Sequence, residues 1–406
     1  MTSQATPSAA KAAAAERRDQ AVRAAVEQGL AGPDAPIVAL LDTTGIRTGA
    51  AALRAAFAAV TDAPVLHAFA VKACPLVPVL RLLRAEGLGA EVASPGELAL
   101  ARAAGMTAAD TVLDSPAKTP AELREALALG IAVNADNPQE LARIDAFMTS
   151  APSASPVGLR VNPQLGAGSI DALSTATATS KFGVKVAYEL AEEINAAAGR
   201  RQVDTIDIGG GLPVNFGSDE ETPTYASYAR LLKEEVPGLF DGRYGLVTEF
   251  GRSLLAKHGT VLARVEYAKS SGGRPIAVTH AGVQIAARTV YAPASWPLRI
   301  AAYDAKGRPK TGPSVAQDIA GPACFAGDLL AENRPLPLLE QGDYTGVLDT
   351  GAYYFAHHYS YNSLAKPGVY GFTATAEGVR FATVRDPQPI EDLVAEAGGA
   401  HTDGLL

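Results

Sequence analysis

Residues 67–74 read His-Ala-Phe-Ala-Val-Lys-Ala-Cys, and the rest of the chain is organised around this stretch. The apolar run Pro64–Val71 predicts a buried strand that ends at Lys72. A lysine at the end of a buried strand is costly unless its amine reaches a site or takes part in chemistry. Desolvation favours the neutral amine, which suits a lysine that forms a Schiff base. The alternative is a lysine that extends its ammonium from the strand end to water.

Strands and helices alternate on both sides of this stretch. Repeated alternation with short links predicts parallel strands covered by helices, and the number of units and the chain length favour a TIM-type (β/α)8 barrel. The predicted strands are 37–42, 64–71, 90–93, 111–113, 131–134, 158–161, 205–208 and 246–249.

The pattern changes near Ala256. From Val261 onward, short alternating segments are separated by Gly and Pro, and no long amphipathic helix follows until about Ile390. Short alternating segments separated by Gly and Pro predict a C-terminal, mainly antiparallel β domain, which the first strand is expected to join. We therefore predict four parts: a helical leader (1–35), a strand of the β domain (36–45), the α/β barrel (46–256) and the C-terminal β domain (257–406).

Composition narrows the classes of function. The 406 residues are enough for two domains, and a net charge of −8 without a basic block argues against nucleic acid as a partner. No apolar run is long enough to cross a bilayer, and the N-terminus lacks the pattern of a signal peptide, so we expect no membrane association and a cytoplasmic location. The two cysteines, Cys74 and Cys324, fit a reducing compartment.

Polar residues follow the predicted strands, and barrel active sites lie at those C-terminal ends. Gly209–Gly211 would let backbone N–H groups approach a phosphate, although such a run is also common in turns. Glu249 and Arg252 suit a protonated ring nitrogen and a phosphate, or they form a local ion pair. Together with Lys72 they predict a site for pyridoxal 5'-phosphate (PLP). Other polar strand ends are Ser94, Lys118, Asp136 and Asn162.

Five motifs occur in a fixed order along the chain. They are Ala70-Val71-Lys72-Ala73, Ile208-Gly209-Gly210-Gly211, Glu249-Phe250-Gly251-Arg252, Gly321-Pro322-Ala323-Cys324-Phe325-Ala326-Gly327-Asp328, and Asp349-Thr350-Gly351-Ala352-Tyr353 followed by Tyr361-Asn362. With these motifs the chain resembles the fold-type III, alanine-racemase-like PLP decarboxylases, the group of diaminopimelate and ornithine decarboxylases. The likeness extends from about Ile37 into the C-terminal domain. Alanine racemase lacks the last two motifs.

The resemblance implies roles for the motif residues. Lys72 would be the lysine that forms the internal aldimine, Glu249 would keep the ring nitrogen protonated, and Cys324 would give a proton to the carbanion left by loss of CO2. The Cys324 motif normally comes from the partner subunit, which implies a homodimer with a shared active site and a small amino-acid substrate. The residues implied for the phosphate are Gly209, Gly210, Gly211, Arg252 and Tyr353.

The residue after Cys324 departs from the family pattern. Phe325 stands where diaminopimelate and ornithine decarboxylases carry an acid that meets the distal amine of the substrate. Because phenylalanine cannot pair with an ammonium, we predict a substrate without a distal amine. Asp328, which closes the same motif, is also predicted to contact the substrate.

Arg288 aligns with an arginine that binds the distal carboxylate in the diaminopimelate enzymes. Two interpretations stay open: it pairs with Asp343 or His280 and is structural, or it receives a second acid of the substrate. His357 and His358 lie between two motif tyrosines, where they contact substrate or fill a polar loop.

A strand–helix unit is missing relative to the family. Ser180-Lys181-Phe182-Gly183 matches a family motif, but only 24 positions separate Gly183 from Asp207. The absent unit carries the family's His-x-His-x-Gly-Ser, whose histidine stacks on the PLP ring. Either the chain is a true variant, or residues between Val184 and Lys185 are lacking from the printed sequence. We favour the second, because loss of a strand opens the barrel at a large cost in hydrogen bonds and buried area.

The motifs favour a PLP-dependent amino-acid decarboxylase. One alternative is a racemase or epimerase of the same fold, which needs a second acid–base group on the opposite face of the substrate. Another is a non-catalytic homologue that acts by binding a partner. Retention of Lys72, Glu249 and Cys324 weighs against the binding protein, and the missing histidine weighs for it.

Overall fold

The computed structural model describes residues 7–161, 181–401 and 403–405. The predicted strand end Asn162 and the motif residue Ser180 lie outside these ranges. The chain divides into two compact units. We call them the α/β unit, which comprises Ile46–Val214 and Thr222–Leu255, and the β unit, which comprises Met1–Gly45, Asn215–Glu221 and Ala256–Leu406.

Helices and strands alternate through the first two thirds of the described chain, and strands dominate the last third. The helices are α1 (Pro7–Glu27), α2 (Thr43–Ala58), α3 (Val77–Ala85), α4 (Pro95–Ala103), α5 (Pro120–Leu129), α6 (Pro138–Ser150), α7 (Lys181–Ala198), α8 (Tyr225–Glu235), α9 (Arg252–Leu255), α10 (Val283–Tyr291) and α11 (Ile390–Glu396). The strands are β1 (Ile37–Asp42), β2 (Val65–Ala70), β3 (Gly89–Val92), β4 (Thr111–Asp114), β5 (Ala132–Ala135), β6 (Val157–Leu159), β7 (Thr205–Asp207), β8 (Gly245–Thr248), β9 (Gly259–Ser271), β10 (Arg274–Thr279), β11 (Ile300–Tyr303), β12 (Ser314–Ala320), β13 (Leu329–Pro337), β14 (Tyr344–Leu348), β15 (Gly368–Thr375) and β16 (Gly378–Arg385).

The α/β unit is built on one parallel sheet with the strand order β6–β5–β4–β3–β2–β8–β7. The register pairs Ala70 with Glu91 and His67 with Thr248, which brings the C-terminal ends of β2, β3 and β8 to one edge. Seven parallel strands with covering helices confirm the predicted α/β architecture, and the described part of the unit thus has one strand fewer than the eight of a closed barrel.

The end strands of this sheet are β6 and β7. On β6 the side chains of Val157 and Leu159 are 38% and 55% exposed. In an eight-stranded barrel a further strand lies between two such ends and pairs with both. Within the described ranges the chain offers no such strand, and it passes from Val184 to Lys185 inside α7. This is the position at which the sequence predicts the missing strand–helix unit.

Short capped loops connect the strands to the helices that follow. Ser94, Thr119 and Asn137 cap α4, α5 and α6, and each side chain accepts from the N–H three residues on, at 3.2, 3.2 and 2.9 Å respectively. A proline follows each cap at the first helical position, where its missing N–H costs nothing. The helices therefore start within a few residues of the strand ends, and the loops at the C-terminal edge stay short.

Lys118 is buried in one of these loops and has no exposed side-chain surface. Its ammonium donates to the backbone oxygens of Ser115 and Asn134 at 2.6 and 2.7 Å and pairs with Glu140 Oε2 at 2.9 Å. The lysine thus ties together the loops that follow β4 and β5. The sequence pattern groups Lys118 with the candidate site residues, but the structure places it in a satisfied internal ion pair.

Replacement of Lys118 by methionine is expected to lower the free energy of unfolding by about 3–5 kcal/mol, because it leaves the Glu140 carboxylate buried without its cation. Urea unfolding followed by circular dichroism measures this loss. The double variant K118M/E140Q is expected to recover part of the loss, and K185M, at an exposed helix position, serves as the matched control. A loss below about 1 kcal/mol for K118M would contradict the structural role of this pair.

The β unit contains a sheet with the path β13–β12–β10–β9–β1–β15–β16, in which β14 also pairs with β9 and β11 pairs with β14. Most neighbours are antiparallel, while β1 runs parallel to β15 and β10 parallel to β12. Helix α1 packs against this sheet: Ala21, Val22 and Ala25 share a buried core with Leu262 and Tyr303. The N-terminal helix and strand therefore belong to the same core as the C-terminal strands.

One helix of the β unit, α10, is not predicted by the sequence pattern. It is only nine residues long, it contains the kinked residue Ala286, and it follows Gly282, so its apolar periodicity is easily missed. It carries Arg288.

None of the helices in the described ranges combines the length and the apolar character needed to cross a bilayer.

Candidate active site

Lys72 lies in a single 3₁₀ turn, Val71–Ala73, directly after β2. Its Nζ is 2.8 Å from Oε2 of Glu91, near the end of β3. The Lys72 side chain is 43% exposed, whereas the Glu91 side chain is 1% exposed. Burial raises the pKa of Glu91, and the neighbouring Lys72 ammonium partly opposes this rise. Lys72 therefore presents its amine at the C-terminal edge, held by a buried acid that the sequence analysis does not identify.

Three glycines follow β7. Gly209 and Gly211 have φ of +67° and +88°, a backbone region that favours glycine, and a Cβ on Gly210 would collide with the backbone oxygen of Glu249. The N–H groups of Gly210 and Gly211 donate to no residue in the described part of the chain. Free amides in such a turn form a cradle for an anion such as a phosphate.

The segment from Glu249 to Arg252 follows β8 and packs beside the Lys72 turn. The Ala70 N–H donates to the Phe250 oxygen at 3.2 Å, and a Cβ on Gly251 would lie 2.9 Å from that of Ala73. Glycine at 251 therefore allows the close approach of this turn to the end of β2. Arg252 begins α9 immediately afterwards.

Phe250 is the second residue of the Glu249–Arg252 segment. Its ring is buried, with centroids 5.3 Å from Tyr225 and 5.6 Å from Tyr228. Helix α8 therefore supplies two aromatic rings that pack against Phe250.

Acidic residues dominate the electrostatics of this edge. Burial raises the pKa of Glu249 well above its usual range, and the nearby carboxyl groups of Asp207, Glu91 and Asp114 raise it further. One of its oxygens, Oε1, is buried and has no hydrogen-bond partner in the described chain. Acids at the ends of otherwise apolar strands are the sequence signal that could have identified Asp114 and Asp207.

Arg160 is a cation at the same C-terminal edge, toward the β6 end of the sheet. Its guanidinium nitrogens lie 3.3 Å from Asp114 Oδ2 and 3.3 Å from Asp136 Oδ1. It follows β6, and this arrangement brings β4, β5 and β6 into one network of charge. Like Glu91, Asp114 and Asp207, Arg160 is not identified as a site residue from the sequence pattern.

His67 is the only histidine in the sequence of the α/β unit. Its Nδ1 lies 2.9 Å from Thr248 Oγ1, and its ring packs against Phe57 of α2. Burial lowers its pKa to about 4, so the imidazole is neutral near physiological pH. This histidine therefore belongs to the packing between sheet and helix, and it does not replace the missing stacking histidine.

The second group of candidate residues lies in the β unit, around Cys324. The thiol is exposed, and its backbone N–H donates to Asn362 Oδ1 at 2.7 Å. Asp328 is buried and accepts from the N–H groups of Ala323 and Val283 at 2.7 and 2.6 Å. These contacts tie the Cys324 loop to the start of α10, so the Asp328 carboxylate shapes the loop that carries the cysteine.

Phe325 belongs to a partly exposed aromatic cluster, which we define as Tyr291, Phe325, Tyr359 and Tyr361. The Phe325 ring is stacked on Tyr291 at a centroid distance of 6.0 Å and meets Tyr361 edge-on at 5.2 Å. Tyr359 contacts both tyrosines. The side chain beside Cys324 thus presents an aromatic surface rather than a charge.

Arg288 of α10 lies between two aromatic rings. Its guanidinium carbon is 4.9 Å from the centroid of Tyr353 and 5.2 Å from that of Trp296. The guanidinium forms no ion pair with the described residues, and Asp343, considered above as its partner, pairs with Lys310 instead. Arg288 is therefore open to an anionic ligand.

The two candidate histidines have different surroundings. His358 Nε2 is 2.6 Å from the backbone oxygen of Leu364, and burial lowers its pKa, which fits a residue that fills the loop. The exposed His357 ring lies 5.6 Å from that of Tyr353, whose backbone has a φ of +67°. His357 therefore lies beside a predicted cofactor residue.

The edge of the α/β unit fits PLP by the chemistry of its groups. The unpartnered Glu249 oxygen would accept the N–H of a protonated ring, and the free amides of Gly210 and Gly211 would hold the phosphate. Lys72 offers the amine that PLP enzymes require. A parallel α/β sheet that collects these groups at its C-terminal edge defines a PLP-dependent enzyme of the barrel class.

Comparison with known proteins identifies relatives of this chain among the PLP-dependent enzymes. A family model described as pyridoxal-dependent decarboxylase, pyridoxal binding domain matches residues 46–205. The diaminopimelate decarboxylase of Zymomonas mobilis is 30% identical over 82% of this chain and 85% of its own length. That of Deinococcus radiodurans is 31% identical over 74% and 81%. The chain therefore belongs to the family of PLP-dependent decarboxylases, and it is a PLP-dependent carboxy-lyase.

The solved structures agree at the level of the fold. The crystal structure of diaminopimelate decarboxylase from M. jannaschii in complex with L-lysine has a TM-score of 0.79 and 21% identity, and the match covers 92% of this chain and 94% of that one. At this identity the likeness shows the fold, a TIM barrel with a β domain.

Proposed function

We propose that this decarboxylase acts on an amino acid whose side chain ends in a carboxylate and carries no distal amine. Lys72 holds the cofactor in this proposal, and Cys324 is the proton donor. The observation that carries the substrate assignment is Phe325, which puts an aromatic ring where the relatives named above are expected to have an acid.

The α/β unit supplies the cofactor site. PLP, when bound, draws off the electrons that remain on the substrate carbon after loss of CO2. Glu249 offers a buried acceptor to the ring nitrogen, and Gly210 and Gly211 offer amide donors to the phosphate. Lys72 Nζ is the amine that would hold the cofactor, and its ion pair with Glu91 orients that amine. Arg252 and Tyr353 are added to the proposed cofactor-binding residues because of their positions in the motifs.

The β unit supplies the proton donor and the substrate pocket. Cys324 Sγ gives its proton to the substrate carbon, and Asp328 holds the loop that positions the thiol. The family resemblance implies that the Cys324 motif comes from the partner subunit, and the proposal therefore includes a homodimer with a shared active site.

Phe325 excludes a distal ammonium by desolvation. An ammonium beside this ring and the tyrosines of the aromatic cluster would lose hydration, and the ring offers no anion in return. A neutral, apolar side chain of the substrate fills the same space without that cost. Selection of this kind, against a charged group, is typically worth about 1–3 kcal/mol, or roughly 10–200-fold in kcat/KM.

Arg288 favours a substrate with a second acid. Its guanidinium is held between Tyr353 and Trp296 and has no carboxylate partner among the described side chains. A planar guanidinium fixed in this way binds a carboxylate through two parallel hydrogen bonds. The side chain of the substrate therefore combines an apolar stem with a terminal acid.

Two substrates that differ only in the distal amine test the proposal. We expect kcat/KM for CO2 release from 2-aminopimelate to exceed that from meso-diaminopimelate by at least about 10-fold. L-Lysine and L-ornithine, which have the amine and lack the second acid, should be poorer still. Preference for meso-diaminopimelate would contradict the substrate assignment.

The variant F325E is expected to reverse the preference, because the new carboxylate can pair with a distal ammonium. F325L, which keeps an apolar side chain, is the matched control and should retain the preference for 2-aminopimelate. If F325E and F325L have the same substrate ratio, position 325 does not face the distal end of the substrate.

A further inference from the structure

Asp207, the last residue of β7, lies next to Glu249, which follows β8. The two strands are paired, and the Glu249 N–H donates to the backbone oxygen of Gly209 at 2.8 Å. Asp207 Oδ1 accepts from the Gly209 N–H at 2.8 Å, and its Oδ2 lies 3.4 Å from Asn134 Nδ2. These contacts fix the Asp207 carboxyl group on the first glycine of the predicted phosphate cradle.

The carboxyl groups of Asp207 and Glu249 lie at the paired ends of β7 and β8, close enough for each to shift the pKa of the other. Two carboxyl groups that lie this close can hydrogen bond only if one of them carries a proton. Neither group forms an ion pair with any residue in the described ranges. Arg160 attracts Glu249 electrostatically but forms its ion pairs with Asp114 and Asp136, so no direct ion pair among the described residues compensates a second negative charge here.

Acidic groups also surround the pair. Glu91 on β3 and Asp114 on β4 face Glu249 and add negative potential. The nearby cations, Lys72 and Arg160, pair with Glu91, Asp114 and Asp136 instead. Burial raises the pKa of both Asp207 and Glu249, and Asp114 raises both further, while the Gly209 N–H partly opposes the rise at Asp207. This balance favours retention of one proton by the pair.

We propose that Asp207 and Glu249 form a dyad that holds one proton and gives it up when the ring nitrogen of PLP arrives, with Asp207 as a positioning residue. The inference rests on the proposed function, which places Glu249 at that nitrogen. If the nitrogen arrives unprotonated, the O–H bond of the dyad breaks and an N–H bond forms. If it arrives protonated, the proton of the dyad passes to water. In both cases the dyad changes from one negative charge to two, opposite a ring cation.

The proposal makes cofactor binding a proton-linked event. Below the pKa of the ring nitrogen, binding releases one proton per site, so affinity should rise with pH by up to about tenfold per unit. Asparagine at 207 can donate to Glu249 without holding a titratable proton. The variant D207N should therefore bind the ring with Glu249 already ionised and with little release of protons.

The probe for this experiment is 4-deoxypyridoxine 5'-phosphate, which lacks the aldehyde and so cannot bond to Lys72. Titration calorimetry near neutral pH in buffers of different ionisation enthalpy counts the protons released per bound probe. We expect about one proton for the wild-type protein and close to none for D207N or E249Q. D204N, which removes an exposed acid three residues before Asp207, is the matched control and should behave like the wild type.

The possible outcomes distinguish failure of the dyad from failure of the cofactor site. One released proton in the wild type and D204N, lost in both D207N and E249Q, supports the dyad. Binding without proton release in the wild type, or equal release by wild type and D207N, overturns it and leaves the cofactor site intact. If the wild type does not bind the probe, the proposed cofactor site itself fails. Should D207N not fold, E249Q gives the same test.

Discussion

Substitution of Lys72 by alanine is expected to abolish decarboxylation, with kcat reduced by on the order of 10⁴-fold or more. The variant removes the amine that bonds the cofactor and leaves the buried Glu91 carboxylate without its cation. The measurement is CO2 release, together with a tryptic map after borohydride reduction. In the wild type the map should contain a pyridoxyl adduct on Lys72, and in the variant this adduct should be absent.

Two further variants show whether a loss of activity comes from the missing amine or from misfolding. K72R keeps a cation beside Glu91 and so should fold and remain inactive, while K185A, at an exposed helix position, should behave like the wild type. Activity of K72A within tenfold of the wild type would contradict the assignment. The same map reads the peptide across Val184 and Lys185, and a longer segment there would establish that the printed sequence is incomplete at this junction.

Replacement of Cys324 by alanine is expected to lower kcat by about 10²–10⁴-fold, the usual contribution of a positioned acid or base. The thiol is exposed on a loop that Asp328 and Asn362 hold in place, so the variant removes the proton donor with little loss of packing. Steady-state CO2 release measures the effect. C74A is the matched control: Cys74 is fully buried, so its loss should lower stability and leave kcat per folded enzyme unchanged.

Mixing the K72A and C324A variants tests both of these predictions together with the shared active site. If the active site is shared between subunits, K72A and C324A each supply what the other lacks. After exchange of subunits, random pairing should restore about a quarter of the wild-type activity, since half of the dimers then hold one intact site. No recovery after mixing would contradict a shared site, and wild-type activity for C324A alone would contradict the cysteine as proton donor.

The sequence by itself determined the architecture of the α/β unit and the convergence of its main site residues. Strands of parallel sheets end at one edge, so locating the strands was enough to place Lys72, Gly209–Gly211 and Glu249 close together. The sequence also located the missing unit, because a break in a regular alternation is visible without coordinates. Phe325 could be recognised as a departure because it falls inside a motif.

Only the tertiary structure decided which polar side chains face the site and which are satisfied elsewhere. Lys118 and Lys72 both follow buried strands, yet the first is enclosed by Glu140 and two backbone oxygens and the second is half exposed beside Glu91. Whether Arg288 meets a carboxylate or two aromatic rings depends on residues distant in sequence, and so does the pairing of Asp207 with Glu249. The physical reason is that strand and helix periodicity is a local property, whereas burial and charge pairing depend on the partners that folding brings together.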